Sequence, residues 1–141
     1  GLFVKVTVLA TKVDADLTDY PVYVDLSGLP AGFHTNVNQT DGRDIRVTEA
    51  DGTTEVPREV VFYTAASDTG ELHFKGDVDS DTDTDFYIYY GNASATEPAE
   101  DTTYGRNNTW NSNYKGVFHM GTPSTLSIAN STGLSIDEAN S

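Results

Sequence analysis

The most regular arrangement of reactive side chains in the 141-residue sequence is a run of aspartates at alternate positions. Asp77, Asp79, Asp81, Asp83 and Asp85 would place their carboxylates on one side of an extended strand, because successive strand residues point to opposite faces. Ca²⁺ binds about six to eight oxygen atoms, so this spacing is compatible with a calcium site, and Ca²⁺ is the one cofactor that the sequence suggests. The run lacks the glycine and the closing glutamate of an EF-hand loop, and a solvated loop is the favoured alternative.

The three histidines, His34, His73 and His119, show no spacing that is typical of a metal site. His73 stands between Leu72 and Phe74, so we expect it on the outer face of a strand. Triad catalysis requires a nucleophile held next to a base, and the sequence contains no Gly-x-Ser-x-Gly motif. The sequence therefore predicts no catalytic residues and no enzymatic activity.

Aromatic side chains offer a second kind of chemistry, the stacking of flat rings on sugars. Tyr87, Tyr89 and Trp110 are the candidate glycan-binding residues. Packing in the core or between sheets is the alternative for most of the tyrosines.

Four triplets match the acceptor pattern for N-glycosylation. Their asparagines are Asn38, Asn92, Asn107 and Asn130, and all four fall in predicted loops. Because a chain rich in Asn, Ser and Thr produces such triplets by chance, they are a minor argument for an extracellular location.

Two neighbouring charged residues, Arg58 and Glu59, interrupt an otherwise apolar run. Strand alternation places them on opposite faces. We expect Arg46 and Arg58 to form structural ion pairs with nearby acids such as Asp44 or Glu49.

The net charge of the chain is strongly negative, with 22 acidic residues against 8 basic ones and a formal charge of -14. Such a surface repels phosphate backbones and anionic lipids, which argues against nucleic acid and anionic membranes as partners. No apolar run approaches the roughly 20 residues that span a bilayer, so no membrane insertion is expected. The acidic excess fits a halophilic or marine source and, equally, an ordinary acidic extracellular protein.

Apolar and polar residues alternate with a period of two over most of the chain, which is typical of strands. Strands are predicted at residues 4–8, 21–26, 44–48, 55–63, 71–75 and 86–90, with a seventh at 114–120. Turn-forming pairs separate the runs, and Pro57 indicates an edge position or a bulge. The pattern predicts an all-β fold, an antiparallel β-sandwich of the jelly-roll or Ig-like type.

The composition divides the chain into three parts. Residues 1–95 form the predicted sandwich module, residues 96–113 a polar linker, and residues 114–141 a partial second β element. Since the sequence has no initiator Met, we expect a piece of a longer protein. Trp110 and Phe118 are expected to pack together. The predicted core consists of Val4, Val6, Val8, Val22, Val24, Leu26, Ile45, Val47, Val60, Phe62, Leu72, Phe74, Phe86 and Ile88.

Four stretches carry a resemblance: ADLTDYPVYVDL at residues 15–26, DIRVT at 44–48, EVPREV at 55–60 and IYYGN at 88–92. In this order they resemble an uncharacterised domain family of bacterial and archaeal surface proteins and of phage tail and fibre proteins. Members are often followed by a concanavalin-A-like or laminin-G-like lectin domain, and residues 110–120 resemble the start of one. The family has no established catalytic residues.

The resemblance implies a non-catalytic structural and interaction module of a filament, an adhesin, or a viral tail, fibre or capsid surface. Its expected location is extracellular, on a cell surface or on a virion. Its expected partners are other copies or neighbouring domains of the same assembly. The alternative function is a carbohydrate-binding module for host or cell-surface glycans.

Overall fold

A computed structural model of the protein describes residues 1–119 and 131–133. No helix in this described part is long and apolar enough to cross a membrane. The strands are β1 (Leu2–Val8), β2 (Leu17–Asp25), β3 (Arg46–Glu49), β4 (Glu55–Val56), β5 (Arg58–Thr64), β6 (Thr69–Val78) and β7 (Thr84–Tyr90). The helical segments are α1 (Ala31–Asn36) and three 3₁₀ turns at Ala10–Lys12, Leu26–Gly28 and Arg106–Thr109.

The strands form two antiparallel sheets, one with the order β1-β7-β3-β4 and one with the order β2-β6-β5. The single strand predicted at 55–63 was wrong, because Pro57 divides it into β4 and β5, where the chain passes from the first sheet to the second. The predicted all-β antiparallel fold is confirmed, and the jelly-roll or Ig-like assignment stays a prediction. The seventh predicted strand is absent from residues 114–119, and its residue 120 lies outside the described part.

The core lies between the two sheets, where β6 and β7 each contribute a large aromatic side chain. The rings of Phe74 and Phe86 pack edge to face with centroids 4.7 Å apart. Of the predicted core, eight residues are buried: Val22, Leu26, Ile45, Val47, Leu72, Phe74, Phe86 and Ile88. Five are partly buried: Val4, Val6, Val8, Val24 and Val60. The prediction missed Phe33, Val56, Tyr63 and Val78, which are buried as well.

Phe62 was predicted in the core and is 43% exposed instead. The pairing of β5 with β6 shifts between Val60 and Phe62, which is a β-bulge. A bulge adds one residue to a strand and so reverses which later side chains face the core. Tyr63 therefore takes the buried position that simple alternation assigns to Phe62.

The bulge predicts a large loss of stability for one aromatic substitution and a small loss for its neighbour. Tyr63→Ala should lower the free energy of unfolding by about 3 kcal/mol, because it removes a buried ring. Phe62→Ala should change it by less than about 1 kcal/mol, because that ring is largely solvated. Urea unfolding of both variants measures the difference, and a larger loss for Phe62→Ala would place the register shift elsewhere.

Residues 96–113, predicted as a linker, lie against the sandwich and are called the strap below. The Arg58 backbone N–H donates to the carbonyl of Tyr104 at 3.4 Å, and the Arg58 guanidinium binds both carboxylate oxygens of Glu97. Further along, the amide nitrogen of Asn111 donates to the carbonyl of Asp19 at 2.9 Å. The strap is thus attached to the second sheet at both ends. A second β element at 114–141 stays a prediction, since most of it lies outside the described residues.

Candidate functional site

The outer face of the β2-β6-β5 sheet carries an unusual set of polar and aromatic side chains. Glu71 and His73 project from β6 on this face, while the intervening Leu72 is buried in the core. His73 lies between two cross-strand partners, Glu59 on β5 and Tyr23 on β2. Alternation along three neighbouring strands therefore brings these groups together.

The end of the strap and the residues after it cover this face. The ring of Trp110 lies with its centroid 5.0 Å from His73, 5.2 Å from Tyr114 and 6.0 Å from His119. Phe118, the predicted neighbour of Trp110, is exposed, and the ring of His119 packs near Trp110 instead. We call Glu59, Glu71, His73 and His119 the histidine–glutamate cluster.

Glu59 is the most enclosed member of the cluster, with its side chain 5% exposed. Its Oε2 accepts hydrogen bonds from Trp110 Nε1 at 2.8 Å and lies 3.2 Å from His119 Nε2. Its Oε1 accepts from Ser131 Oγ at 2.6 Å. A carboxylate buried this far needs such donors, because an unsolvated negative charge is costly.

The other three members converge on one point beside Glu59. The distance from His73 Nε2 to Glu71 Oε1 is 2.8 Å, and that from His119 Nδ1 to the same oxygen is 3.8 Å. One nitrogen or oxygen atom from each residue lies within 4.8 Å of those of the other two. This is the one group of three such side chains among the described residues that is close enough to hold a metal ion.

The carboxylates of the cluster have no lysine or arginine partner in the described part of the chain. Among the described residues, the ion-pair partners of Glu59 and Glu71 are histidines alone. With neutral imidazoles, the cluster carries two negative charges in a partly enclosed place. Desolvation raises the pKa of the nearby Tyr23 hydroxyl, and the carboxylates of Asp25 and Glu71 raise it further.

The cluster does not have the order of a serine triad. In a triad the hydroxyl contacts the imidazole and the imidazole contacts the carboxylate. Here Ser131 donates directly to Glu59, so the carboxylate lies between the hydroxyl and His119. The arrangement can accept protons or bind a cation, and the predicted lack of enzymatic activity stays a prediction.

A cleft of about 530 Å³ opens between β5 and the strap, next to the cluster. Its walls include the exposed ring of Phe62 and the buried Glu59. Its ionisable lining residues are mainly acidic: Asp41, Glu59, Glu97, Glu100, Arg106 and His119. Asp41, Glu97 and Glu100 pair with arginines, so Glu59 is the acidic lining residue without an arginine partner in the described part of the chain.

The predicted calcium ligands do not share one strand face. Asp77 belongs to β6 and Asp85 to β7, and Asp79, Asp81 and Asp83 lie in the connection between these strands. The premise of a single extended strand was wrong, because β6 ends at Val78 and the chain turns. The turn nevertheless brings Asp77, Asp79, Asp83 and Asp85 to one open pocket together with Asp16. Calcium binding by this run stays a prediction, and the position of residues 79–83 in a connection fits the loop alternative.

Most of these aspartates accept hydrogen bonds from nearby groups of the protein. Asp77 accepts from the backbone N–H of Asp19 at 2.8 Å, and Asp83 from that of Ala10 at 2.8 Å. Asp79 caps its own turn by accepting from the N–H groups of Asp81 and Thr82. A hydrogen bond from the Thr7 hydroxyl, followed by one from Lys5, holds the pKa of Asp85 below its usual value.

The predicted glycan-binding residues lie on two different surfaces. Tyr87 and Tyr89 project from the outer face of β7, beside Phe3 of β1. Trp110 lies on the opposite sheet, over His73. The three side chains therefore do not form one platform.

Two of the predicted glycosylation sites, Asn38 and Asn92, are exposed in loops. Asn107 is half-buried, and its amide nitrogen donates to Asp101 at 2.6 Å. This nitrogen is therefore poorly placed for the attachment of a glycan. Asn130 lies outside the described residues.

The predicted ion pairs have other partners than expected. Arg46 pairs with Glu55 at 3.3 Å, and Arg58 pairs with Glu97. Asp44 accepts backbone N–H groups of Asn38 and Gly91 instead of pairing with an arginine. The expectation that Arg58 and Glu59 point to opposite faces agrees with the structure, since Arg58 is fully buried and Glu59 faces the strap.

The spacing of the three histidines in the sequence does not reveal the histidine–glutamate cluster. The local signal is Glu71-x-His73, since two ligands one residue apart share a face in a strand. No comparable signal exists for His119, which approaches the sheet only because the strap folds back.

Comparison of the chain with protein-family models, curated proteins and solved structures finds no match. The function therefore has to be argued from the surfaces and contacts of this chain.

Proposed function

We propose that the chain is a non-catalytic structural and interaction module of an extracellular or virion-surface assembly, and that β1 and β7 contact a second copy. The supporting observation is the aromatic patch of Phe3, Tyr87 and Tyr89. Phe3 is 54% exposed, and its ring centroid lies 5.3 Å from that of Tyr87 and 5.6 Å from that of Tyr89.

The patch has the properties of a contact surface. Aromatic rings bury a large area with few rotatable bonds, and Tyr and Phe are enriched at protein interfaces. The hydroxyl of Tyr89 donates to the carbonyl of Gly52 at 3.1 Å, which fixes that ring before binding. A fixed ring loses little conformational entropy when a partner covers it.

The position of β1 supports a second copy as the partner. It is an edge strand, and in the described part of the chain it pairs with β7 alone. The free edge offers unpaired backbone groups to another strand, and two copies related by a twofold axis would pair antiparallel and join their aromatic patches. Lys5, which would oppose such pairing, is 3.1 Å from Asp85 and is neutralised there.

The charge of the chain predicts how this contact depends on salt. Each copy carries a formal charge of -14, so two copies repel at low ionic strength. Salt reduces the Debye length to about 3 Å at 1 M and screens that repulsion. Association should therefore strengthen as NaCl increases, which also fits a protein from a saline exterior.

We expect sedimentation velocity to show concentration-dependent association of the chain in 1 M NaCl, and weaker association in 20 mM NaCl. Phe3→Ser should reduce the association constant at least tenfold in 1 M NaCl, since it removes the most exposed ring of the patch. Phe62→Ser is the matched control, because it removes an exposed phenylalanine from the opposite sheet. A monomer at every concentration, or an equal loss for Phe62→Ser, would contradict the proposal.

The same variants separate protein contact from glycan binding. If the patch stacks on sugars, a glycan array will show signals for the wild type that Phe3→Ser and Tyr87→Ser remove, while the wild type stays monomeric. That outcome would replace the self-association proposal with the carbohydrate-binding alternative.

A further inference from the structure

We propose that Glu71, His73 and His119 form a binding site for Zn²⁺, and that Glu59 orients His119 through a hydrogen bond. The site lies on the β2-β6-β5 sheet and is independent of the aromatic patch on the other sheet.

The distances between the ligand atoms are close to those that zinc requires. In a tetrahedral site with metal–ligand bonds of about 2.0–2.2 Å, ligand atoms lie roughly 3.3–3.5 Å apart. Glu71 Oε1 is 2.8 Å from His73 Nε2 and 3.8 Å from His119 Nδ1. Small side-chain rotations that move these atoms by roughly half an ångström would bring both distances into that range. The third pair of ligand atoms, from His73 and His119, lies within 4.8 Å.

The tautomer of His119 is the second argument. Its Nε2 lies 3.2 Å from Glu59 Oε2, and because a carboxylate only accepts, this contact favours the neutral tautomer with its proton on Nε2. Nδ1 then carries the lone pair, on the side that faces Glu71. A ligand histidine whose other nitrogen donates to a carboxylate is the usual second layer of zinc sites in proteins.

Glu59 is itself held in place for this role. Its two oxygens accept hydrogen bonds from Trp110 Nε1 and Ser131 Oγ, at 2.8 and 2.6 Å. These donors are neutral, so they fix the carboxylate without compensating its charge. A divalent cation beside His119 would balance the charges of Glu59 and Glu71 together.

The chemistry of the ligands selects the class of metal. Two imidazoles and one carboxylate suit Zn²⁺ and its first-row neighbours, whereas Ca²⁺ and Mg²⁺ require a shell of oxygens. Glu71, His73 and His119 are all partly exposed, which leaves a side open for water or another ligand as a fourth group.

Isothermal titration of the EDTA-treated chain with ZnCl₂ tests the site. We expect one Zn²⁺ per chain with a Kd in the micromolar range or below. Glu71→Gln and His73→Gln should each weaken binding at least tenfold, because each removes a ligand. Glu59→Gln should weaken it about tenfold through the orientation of His119. CaCl₂ and MgCl₂ should give no saturable binding at this site.

Two controls separate the site from non-specific binding to an acidic chain. His34→Gln removes the histidine outside the cluster, and the pair Asp79→Asn and Asp81→Asn removes charge from the aspartate run. Both should leave the zinc affinity unchanged. Absence of saturable binding by the wild type, or an equal loss in either control, would overturn the proposal.

An optical measurement tests the location directly. Trp110 is the single tryptophan of the chain, and its ring lies against both His73 and His119. Co²⁺ in the site should quench Trp110 fluorescence in a saturable way and give the intense visible absorption of tetrahedral cobalt. Added Zn²⁺ should reverse both signals. Co²⁺ binding without quenching would place the metal elsewhere and contradict the site. Phe3→Ser should bind zinc normally, so the two proposals fail independently.

Discussion

Arg58→Ala should lower the free energy of unfolding by about 4 kcal/mol, the largest effect that we expect from a single substitution. Arg58 is the largest fully buried side chain in the described part of the protein. Its Nε donates to the carbonyl of Ile45 at 2.9 Å, and its two terminal nitrogens bind the carboxylate of Glu97. Truncation would leave a cavity and an unpaired buried carbonyl, and would release one end of the strap.

Denaturant unfolding measures this loss, and two further variants interpret it. Arg43→Ala removes an arginine that binds Asp41 at the surface, so it should cost about 1 kcal/mol or less. Glu97→Gln should cost an intermediate amount, because the amide oxygen of glutamine still accepts one hydrogen bond from the guanidinium and the position is 52% exposed. A loss for Arg58→Ala no greater than that for Arg43→Ala would show that Arg58 does not anchor the strap to the core.

Gly105→Ala should detach the strap, with a cost of about 3 kcal/mol. A Cβ atom at this position would overlap the backbone carbonyl oxygens of Ala99 and Glu100. Backbone atoms cannot move aside like the end of a flexible side chain, so the turn at residues 99–108 would have to open. Trp110 follows this turn, and we expect its fluorescence emission to shift to longer wavelength while the strands keep their circular dichroism signal.

Gly28→Ala is the matched control for Gly105→Ala, since no atom lies within 4 Å of a Cβ added there. It should change neither the stability nor the tryptophan emission. Because His119 follows the strap in the chain and is positioned by it, Gly105→Ala should also weaken zinc binding. Gly28→Ala should not. An unshifted tryptophan emission in Gly105→Ala would indicate that the strap tolerates the methyl group and is less tightly held than the structure implies.

The strap contributes to both the cleft beside β5 and the histidine–glutamate cluster. It closes one wall of the acidic cleft with Glu97 and Glu100, and it places Trp110 over His73. A metal ion bound by Glu71, His73 and His119 would join the region after the strap to β6. Zinc should therefore raise the melting temperature, since a ligand that binds the folded state alone stabilises it.

Alternation along the sequence located β1, β2, β3, β6, β7 and most of the core, but it merged β4 and β5 into one strand. Phe74, Phe86 and Ile88 are buried as predicted, because a strand with one face against another sheet must place its apolar residues at every second position. The same rule correctly placed Arg58 and Glu59 on opposite faces. The assignment failed at Phe62, where a bulge in β5 adds one residue and reverses the alternation.

The candidate site depended on contacts that no local pattern contains. Periodicity indicates that His73 faces outward, and it carries no information about which distant segment covers that face. His119 meets Glu59 and Glu71 only because the strap folds back over the second sheet, held by Arg58 and Glu97. Likewise, the aspartate run bends instead of following one strand, because β6 and β7 belong to different sheets. The sequence by itself determined the strands and which residues face inward, since these follow from neighbouring side chains. The tertiary structure alone decided which outward-facing groups meet, because that depends on how segments far apart in the chain pack together.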